Sequence, residues 1–397
     1  MPLFRTHKQR PAFLQLVQDR KAFPRFIPIP VPQPVNCTLP LTAILGSDHV
    51  NAIQATRKIV FHTVGDTGGI HGTVAQDAVA EAMEAQFTSA SADSVPAFFY
   101  HLGDVIYYNG QSSLYESQFY EPYKYYQPVI FAIPGNHDGD TQVRPRDLPD
   151  TEPSLYGFFQ NFCAPQRTPI STYRDAMTQP YVYWTLEAPF VTIIGLYGNV
   201  DGTLDGLGTV TQQQWLTSQL QNADRSTCII VAVHQPPYSL DGKHGGYPSI
   251  VDVIDQAATI TGVWPHAVFS GHVHDYQRFT RTVPVGGQSR AIPYLVAGAG
   301  GYADVAGLMH KMRRDAAKDP VPCPSSTSDP TVELRGYNEI DPGFLRVTVT
   351  STELKAEYFT VPFTGSVPTT PFDAVTLNYQ TGAITSEMNP GTSGAAP

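Results

Sequence analysis

The residues of this chain best suited to chemistry are Asp66, Asp104 with Tyr107, Asn136, His234, and His272 with His274, each set standing just after a short apolar run. Carboxylate, phenol and amide oxygens are hard ligands and imidazole is borderline, a mixture that suits iron, zinc or manganese and disfavours copper(I) or an iron–sulfur cluster. Asp104, in Gly103-Asp104-Val105-Ile106-Tyr107, can bridge two cations with its two oxygens. Tyr107 can offer a phenolate only to a strong Lewis acid, because its unperturbed pKa is near 10. Ferric iron is such an acid. Taken alone, the pentapeptide reads as a turn whose Asp bonds local N–H groups and whose Tyr packs, and the partners elsewhere in the chain reverse that reading. His272 and His274 are two apart, so in an extended segment their rings point the same way. With Asp104 shared, these seven side chains give each of two metals four contacts. Open positions remain for hydroxide and substrate, as a two-metal hydrolytic site requires.

Five apolar runs must position these groups. Residues 59–64 lead to Asp66, 97–102 to Asp104, 129–133 to Asn136, 228–233 to His234, and 267–270 to His272 and His274. In open α/β sheets ligands bind at the carboxyl ends of strands, so five such endings point to one rim. Between them, Val74, Ala78 and Ala82 with Val79 and Met83 fall on one helical face. A helix from about Thr211 carries Trp215, Leu216 and Leu220 inward, and another spans 249–259. Residues 181–186 and 190–196 read as a hairpin around Glu187-Ala188-Pro189, and 139–180 as a long surface excursion. Segments 293–297, 343–350 and 353–360 look like strands of a second sheet, interrupted by a polar insertion over 302–338.

At 397 residues the chain is long enough for one large domain with extensions, or for two domains. Residues 1–57 read as a Pro-rich basic extension, because Pro24, Pro28, Pro30, Pro32 and Pro34 prevent helix and central strand alike. Residues 58–360 form the body, and 361–397 a strand near Val375 with a flexible tail. The net charge of −10, without a Lys/Arg stripe, argues against a general nucleic-acid binder. A small phosphorylated substrate held by metals is compatible with it. The first 57 residues hold seven Lys+Arg against two Asp+Glu, so the remainder carries −15. Cys37, Cys163, Cys228 and Cys323 form no CxxC pair, which argues against a zinc knuckle or redox motif. Cys228 reads as a buried thiol, and a disulfide among the others has no legible pairing. No apolar run approaches the roughly 18 residues of a membrane span. Phe13-Leu14-Gln15-Leu16-Val17 is too short and interrupted for a signal-peptide core. The oligomeric state is not legible.

Five motifs stand in order: GDTG at 65–68, GDVIY at 103–107, GNHD at 135–138, VAVH at 231–234 and GHVH at 271–274. Each alone is weak, but the ordered set resembles that of the purple acid phosphatases within the calcineurin-like metallophosphoesterases. The resemblance covers about residues 58–360. It implies an α/β fold in which two mixed β-sheets pack as a sandwich flanked by helices, with metals at the strand ends. The first motif lacks the DxH histidine of most of the superfamily and a GDxxY tyrosine is present instead, the mark of the ferric subgroup. The resemblance places Fe(III) on Asp66, Tyr107, His274 and the bridging Asp104. A divalent ion, Fe, Zn or Mn, falls on Asp104, Asn136, His234 and His272. His137 matches one substrate-binding histidine and His244 a second. Lys243 departs from members with an acidic residue there and would add positive charge near the leaving group.

The activity so implied is that of an acid phosphatase acting on phosphate monoesters. A metal-held hydroxide attacks in line, and two cations with His137 and His244 neutralise the phosphoryl oxygens. An imidazolium at His137 or His244 protonates the leaving oxygen, and an acidic optimum follows. The alternatives are a phosphodiesterase of the same fold and a noncatalytic member that binds metal or phosphate. Family likeness implies a periplasmic or secreted protein, although no signal peptide is visible. His62 and His101 read as core or supporting groups, and His71 as within reach of the pocket. Tyr115 to Tyr126 read as packing rather than a base-stacking platform. Gly298, Gly300 and Gly301 read as points where backbone passes close under the metal site rather than as a phosphate loop.

Overall fold

Consecutive apolar residues that are buried on both faces suit the parallel strands in the interior of a sheet, and the computed structural model puts four of the five runs ending at candidate ligands there, the run before Asn136 standing at a sheet edge. It describes residues 37–70, 72–89, 91–140, 152–204, 212–303, 306–313, 321–363 and 369–388. In chain order the strands are β1 (Thr38–Pro40), β2 (Lys58–Val64), β3 (Phe98–His101), β4 (Val129–Ala132), β5 (Trp184–Ala188), β6 (Val191–Leu196), β7 (Cys228–Val233) and β8 (Ala267–Ser270). They continue with β9 (Tyr276–Val285), β10 (Gln288–Ala297), β11 (Ser325–Ser326), β12 (Val332–Asn338), β13 (Gly343–Thr350), β14 (Glu353–Thr360), β15 (Asp373–Asn378) and β16 (Ala383–Glu387). One sheet has nine strands in the order β1-β5-β6-β7-β8-β10-β9-β12-β11, and the other seven in the order β16-β15-β14-β13-β2-β3-β4. Both are mixed. β2, β3 and β4 run parallel, as do β6, β7, β8 and β10, while the outer strands of the seven-stranded sheet are antiparallel. The helices α1 (Ser47–Ala55), α2 (Val74–Ser89), α3 (Tyr156–Phe162), α4 (Gln212–Asn222) and α5 (Pro248–Thr261) accompany them. The expected α/β sandwich is therefore present.

Several local expectations change. The segment 293–297 lies in β10, which pairs with β8 in the nine-stranded sheet, not beside β13 and β14. The presumed polar insertion contains β12, and 139–180 contains α3, whose Phe158 and Phe162 are buried. On α2 the buried stripe runs through Ala75, Val79 and Met83, which turns Val74 out to 72% exposure. The hairpin forms, but its first strand starts only at Trp184. α4 buries Trp215, Leu216 and Leu220 as expected, and Tyr115, Tyr120, Tyr123 and Tyr126 pack inside. All four cysteines are free thiols. β1 pairs in parallel with β5, while β15 and β16 extend the seven-stranded sheet. The Pro24 to Pro34 run, His71, Thr211 and the chain beyond Met388 lie outside the described residues.

Among the contacts that join the sheets, three involve large buried side chains of β5 and β9. Trp184 of β5 packs against Tyr100 and Phe131, with ring centroids 5.9 and 5.5 Å away, and its indole N–H donates to the Ala132 carbonyl at 3.1 Å. Tyr276 of β9 stacks on Tyr358 of β14 at 3.9 Å and 7°. Arg278, fully buried on β9, grips Asp373 of β15 through Nε (2.8 Å) and Nη2 (2.9 Å), and Glu387 of β16 through Nη1 (3.0 Å). Removing one partner of a buried pair leaves an uncompensated charge, so Arg278→Met should lower unfolding stability by about 3–5 kcal/mol. Chemical denaturation would read that loss, and adding Asp373→Leu should recover much of it.

His62 of β2 is buried, with Nδ1 3.1 Å from Tyr126 Oη and Nε2 3.1 Å from Gln86 Oε1. Burial pushes its pKa down to about 3. The unfolded chain takes up this proton near pH 6.5, whereas the folded one does so only near pH 3. Stability therefore falls as pH drops through that window, by about 1.4 kcal/mol per pH unit. The stability-against-pH curve of His62→Phe, measured by denaturant titration, should be flatter there by that slope.

Candidate metal centre

The strand ends turn sharply, and three candidate ligands do so with left-handed backbone: Asp66 (φ 59°), Asp104 (φ 53°) and His272 (φ 68°). Such conformations cost about 1–3 kcal/mol each and persist where the surroundings impose them. Here each turn is bonded to another. The Asp66 N–H donates to the Gly103 carbonyl at 2.9 Å, and Asp66 Oδ2 accepts the His272 N–H at 2.6 Å. Asp104 Oδ1 accepts the His137 N–H at 2.8 Å. Gly103 (φ 93°) lets the loops touch, since a Cβ there would lie 2.6 Å from Gly135 N and 2.7 Å from His234 Nδ1. A Cβ on Gly135 would meet Asp104 Oδ1 at 2.2 Å. The close passage expected at Gly298 and Gly300 is also seen, each lacking room for a Cβ against the Val273 and Gly65 carbonyls respectively.

All seven candidate ligands meet in one chain of contacts. Tyr107 Oη lies 3.0 Å from Asp66 Oδ1 and 3.3 Å from His274 Nε2, which is 3.4 Å from Asp66 Oδ1. His234 Nε2 lies 4.0 Å from Asp66 Oδ1, 3.2 Å from Asp104 Oδ2 and 3.2 Å from Asn136 Oδ1, and the last is 2.8 Å from His272 Nδ1. Ligand atoms of Asp104, His234 and His272 all fall within 4.8 Å of one another. The chemistry of these donors fits cations. His234 Nδ1 faces the Leu102 carbonyl at 2.8 Å, so it carries the ring proton and a neutral ring turns the Nε2 lone pair toward two oxygens. His274 Nδ1 is buried with no hydrogen-bond partner among the described residues.

Without a metal, protons answer the same crowding. Burial alone would lower His234, but the Asp104 and Asp66 carboxylates hold its pKa above the usual imidazole range. Burial opposes ionisation of Asp104, yet the His234 and His137 charges hold it low. Asp66 is driven up by burial and by the Asp104 charge. Tyr107 is pushed well up by burial, Asp104 and Asp66. A phenolate there needs a strong cation. Burial and neighbouring imidazoles keep His272 and His274 neutral, the state in which imidazole ligates.

His137 and His244 flank this set. His137 Nδ1 lies 2.7 Å from the Tyr108 carbonyl, and its ring centroid is 4.6 Å from that of Tyr107. The His244 ring is 4.6 Å from that of His272, and the His244 backbone N–H donates to Asp241 Oδ2 at 2.6 Å. His62 and His101 are buried, and His101 braces the turn before Asp104, its Nδ1 accepting the Gly103 N–H at 3.1 Å and its Nε2 lying 2.8 Å from Thr67 Oγ1. Sequence reasoning gave no role to four further residues. Asp138 accepts N–H bonds from Gly135 (2.8 Å), Ile106 (3.0 Å) and Val105 (3.1 Å), tying together the loops that carry Asn136 and Asp104. Burial and the Asp104 charge push its pKa up to about 7. Tyr247 Oη lies 2.9 Å from His272 Nε2. Tyr302 lies over Tyr107 at 4.1 Å, with its hydroxyl 3.1 Å from that of Tyr108. His310 stacks on His274 at 4.3 Å, and its Nε2 is 3.4 Å from Lys243 Nζ. Asp138 had a signal, as the acid closing GNHD. The others stand at no ligand spacing.

A family model described as calcineurin-like phosphoesterase matches residues 60–276, more than half of the chain. The chain belongs to that family. Within it, the chain is purple acid phosphatase-like. It is 32% identical over 105 residues to a probable purple acid phosphatase 20 of Arabidopsis thaliana, covering 26% of this chain and 24% of the relative. Against purple acid phosphatase 15 of the same plant it is 23% identical over 213 residues, or 52% and 35% of the two chains. The matches thus span about a quarter to a third of these relatives' length. Purple acid phosphatase PPD1 from yellow lupin (Lupinus luteus) seeds shares the fold, with a TM-score of 0.55 at 16% identity over 81% of this chain and 54% of that one. The family and fold imply divalent metal binding. Among the described residues no helix is long and apolar enough to cross a membrane.

Asp138→Asn keeps the size but turns an amide toward backbone N–H donors. Supporting partners of metal ligands are worth about 10–100-fold in affinity. Metal titration of Asp138→Asn should show a loss in that range while the secondary structure, read by circular dichroism, is retained.

Proposed function

We propose that this phosphoesterase-family hydrolase is a dinuclear acid phosphatase of phosphate monoesters. The observation that carries the proposal is the convergence of four oxygen-bearing and three imidazole side chains on one rim, with His137 and His244 beside them. Asp66, Tyr107, His274 and Asp104 would hold a ferric ion, and Asp104, Asn136, His234 and His272 a divalent one, iron, zinc or manganese. When bound, the two cations supply charge to neutralise a phosphoryl group and acidity to activate water. The chain's own residues do the rest. His137 donates its Nδ1 proton to the Tyr108 carbonyl, which fixes the ring and leaves Nε2 for a phosphoryl or leaving oxygen. As the imidazolium, its Nε2–H gives that oxygen a proton. His244 stands on the His272 side, in a loop pinned by Asp241, and binds the same group from there.

Protein loaded with iron and a divalent metal should show a visible phenolate-to-iron charge-transfer band that disappears in Tyr107→Phe. It should also hydrolyse 4-nitrophenyl phosphate faster than bis(4-nitrophenyl) phosphate. His137→Ala should lower kcat by about 10²-fold or more, as the loss of an acid–base group does. A colourless iron-loaded protein would refute the ferric tyrosinate. Faster diester cleavage would move the reading to a phosphodiesterase, and no turnover of either ester by metal-replete protein would move it to a noncatalytic member.

A further inference from the structure

β8 has a cavity at its other end as well. Where it begins, opposite His272 and His274, a cavity of about 350 Å³ opens between β8, the end of α5, β10 and the β15–β16 turn. That is near the lower limit of ligand cavities, about 300–1,000 Å³, and suits one ring with one charged group. Its polar lining is built from Arg225, Trp264, His266, Arg290, Tyr379 and Gln380, and no carboxylate lines it among the described residues. This is unusual for a chain of net charge −10.

The donors are held in place. Arg290 donates from Nη2 to the Gln380 carbonyl at 2.8 Å and from Nη1 to the Tyr379 carbonyl at 3.4 Å. Carbonyls orient a guanidinium without cancelling its charge. Its stem lies against Gly382 (φ 75°), where a Cβ would stand 2.5 Å from Arg290 Cγ, and the Ala291 N–H binds the Gly382 carbonyl at 2.8 Å. His266 Nδ1 accepts the Ile229 N–H at 2.8 Å, so the neutral ring carries its proton on Nε2 as a donor. Burial and the Arg290 charge lower its pKa to about 4, which keeps that tautomer at neutral pH. Tyr379 lies beside it, ring centroids 5.0 Å apart, while its hydroxyl donates outward to the Thr350 carbonyl at 2.8 Å. Fixed donors, aromatic faces and uncancelled positive charge share one cleft.

We propose that this cavity is a binding site, separate from the metal centre, for a small aromatic oxyanion: the oxyanion sits on Arg290 and His266 Nε2–H, and the ring lies against Trp264 and Tyr379. Calorimetry with 2-naphthoate tests it on the full chain, once metal-loaded and once after metal removal. The expected result is one saturable site of equal affinity in both preparations, with neutral 2-naphthol at least tenfold weaker. Arg290→Gln should weaken naphthoate at least tenfold. Arg225→Glu, a change at an exposed side chain, should weaken it as well and serves if Arg290→Gln fails to fold. Absence of saturable binding, binding lost with the metals, or equal binding of naphthoate and naphthol would each overturn the proposal. So would affinity unchanged in the folded variants.

Discussion

Around the carboxylate of Asp104 electron-rich atoms are packed closer than they would stay unless a positive charge lay among them. His234 Nε2 is 3.2 Å from Asp104 Oδ2 and from Asn136 Oδ1, and Asp66 Oδ1 is 4.0 Å from the same nitrogen. The Asp104 charge, together with burial, drives the pKa of Asp66 up, because two buried carboxylates so placed oppose each other's ionisation. The backbone enforces the crowding. Gly103 and Gly135 bring two turns into contact, and Asp138 ties them with bonds to three backbone N–H groups. Much of the local architecture therefore serves to keep these groups together until a cation or a proton settles among them.

The sandwich divides the labour by element type. Asp66, Asp104, Tyr107 and Asn136 follow β2, β3 and β4 of the seven-stranded sheet, whereas His234, His272 and His274 follow β7 and β8 of the nine-stranded one. Oxygen ligands come from one sheet and nitrogen ligands from the other. With the proposed assignment, each cation draws on both, so its binding energy also presses the sheets together. The stacked Tyr276 and Tyr358 and the buried Arg278 cluster provide further ties between the same layers.

The centre was legible because its strands are continuous apolar runs that each end in a ligand-type residue, four of the five through a glycine, a pattern carried by local sequence. The same logic reached the two-sheet fold and the inward face of α4. It failed where neighbours come from afar. β10 looks like any apolar strand, and only its pairing with β8 decides its sheet. β12 was hidden in a polar segment because its charged side chains point outward: Glu333 and Arg335 alternate with buried Val332, Leu334 and Gly336. Tyr302 and His310 reach the centre from a loop with no motif, and their contacts to Tyr107 and His274 depend on the completed fold. Val74 was misplaced because a helical stripe read from spacing has an uncertain centre.

Arg278 also sets an order of events in synthesis. Its main counter-ion, Asp373, lies 95 residues further along the chain, and Glu387 lies 109 further. Every candidate metal ligand has been made by residue 274. At translation rates of about 5–20 residues per second, the guanidinium waits roughly 5–20 s for its partner. During that interval burying β9 against the second sheet would strand a charge, so the nascent sandwich is held open at one end after its ligands exist. Final docking is thus deferred to the last strands, and a ribosome stalled before residue 373 would leave a chain that carries the full metal-binding vocabulary but an unsealed core.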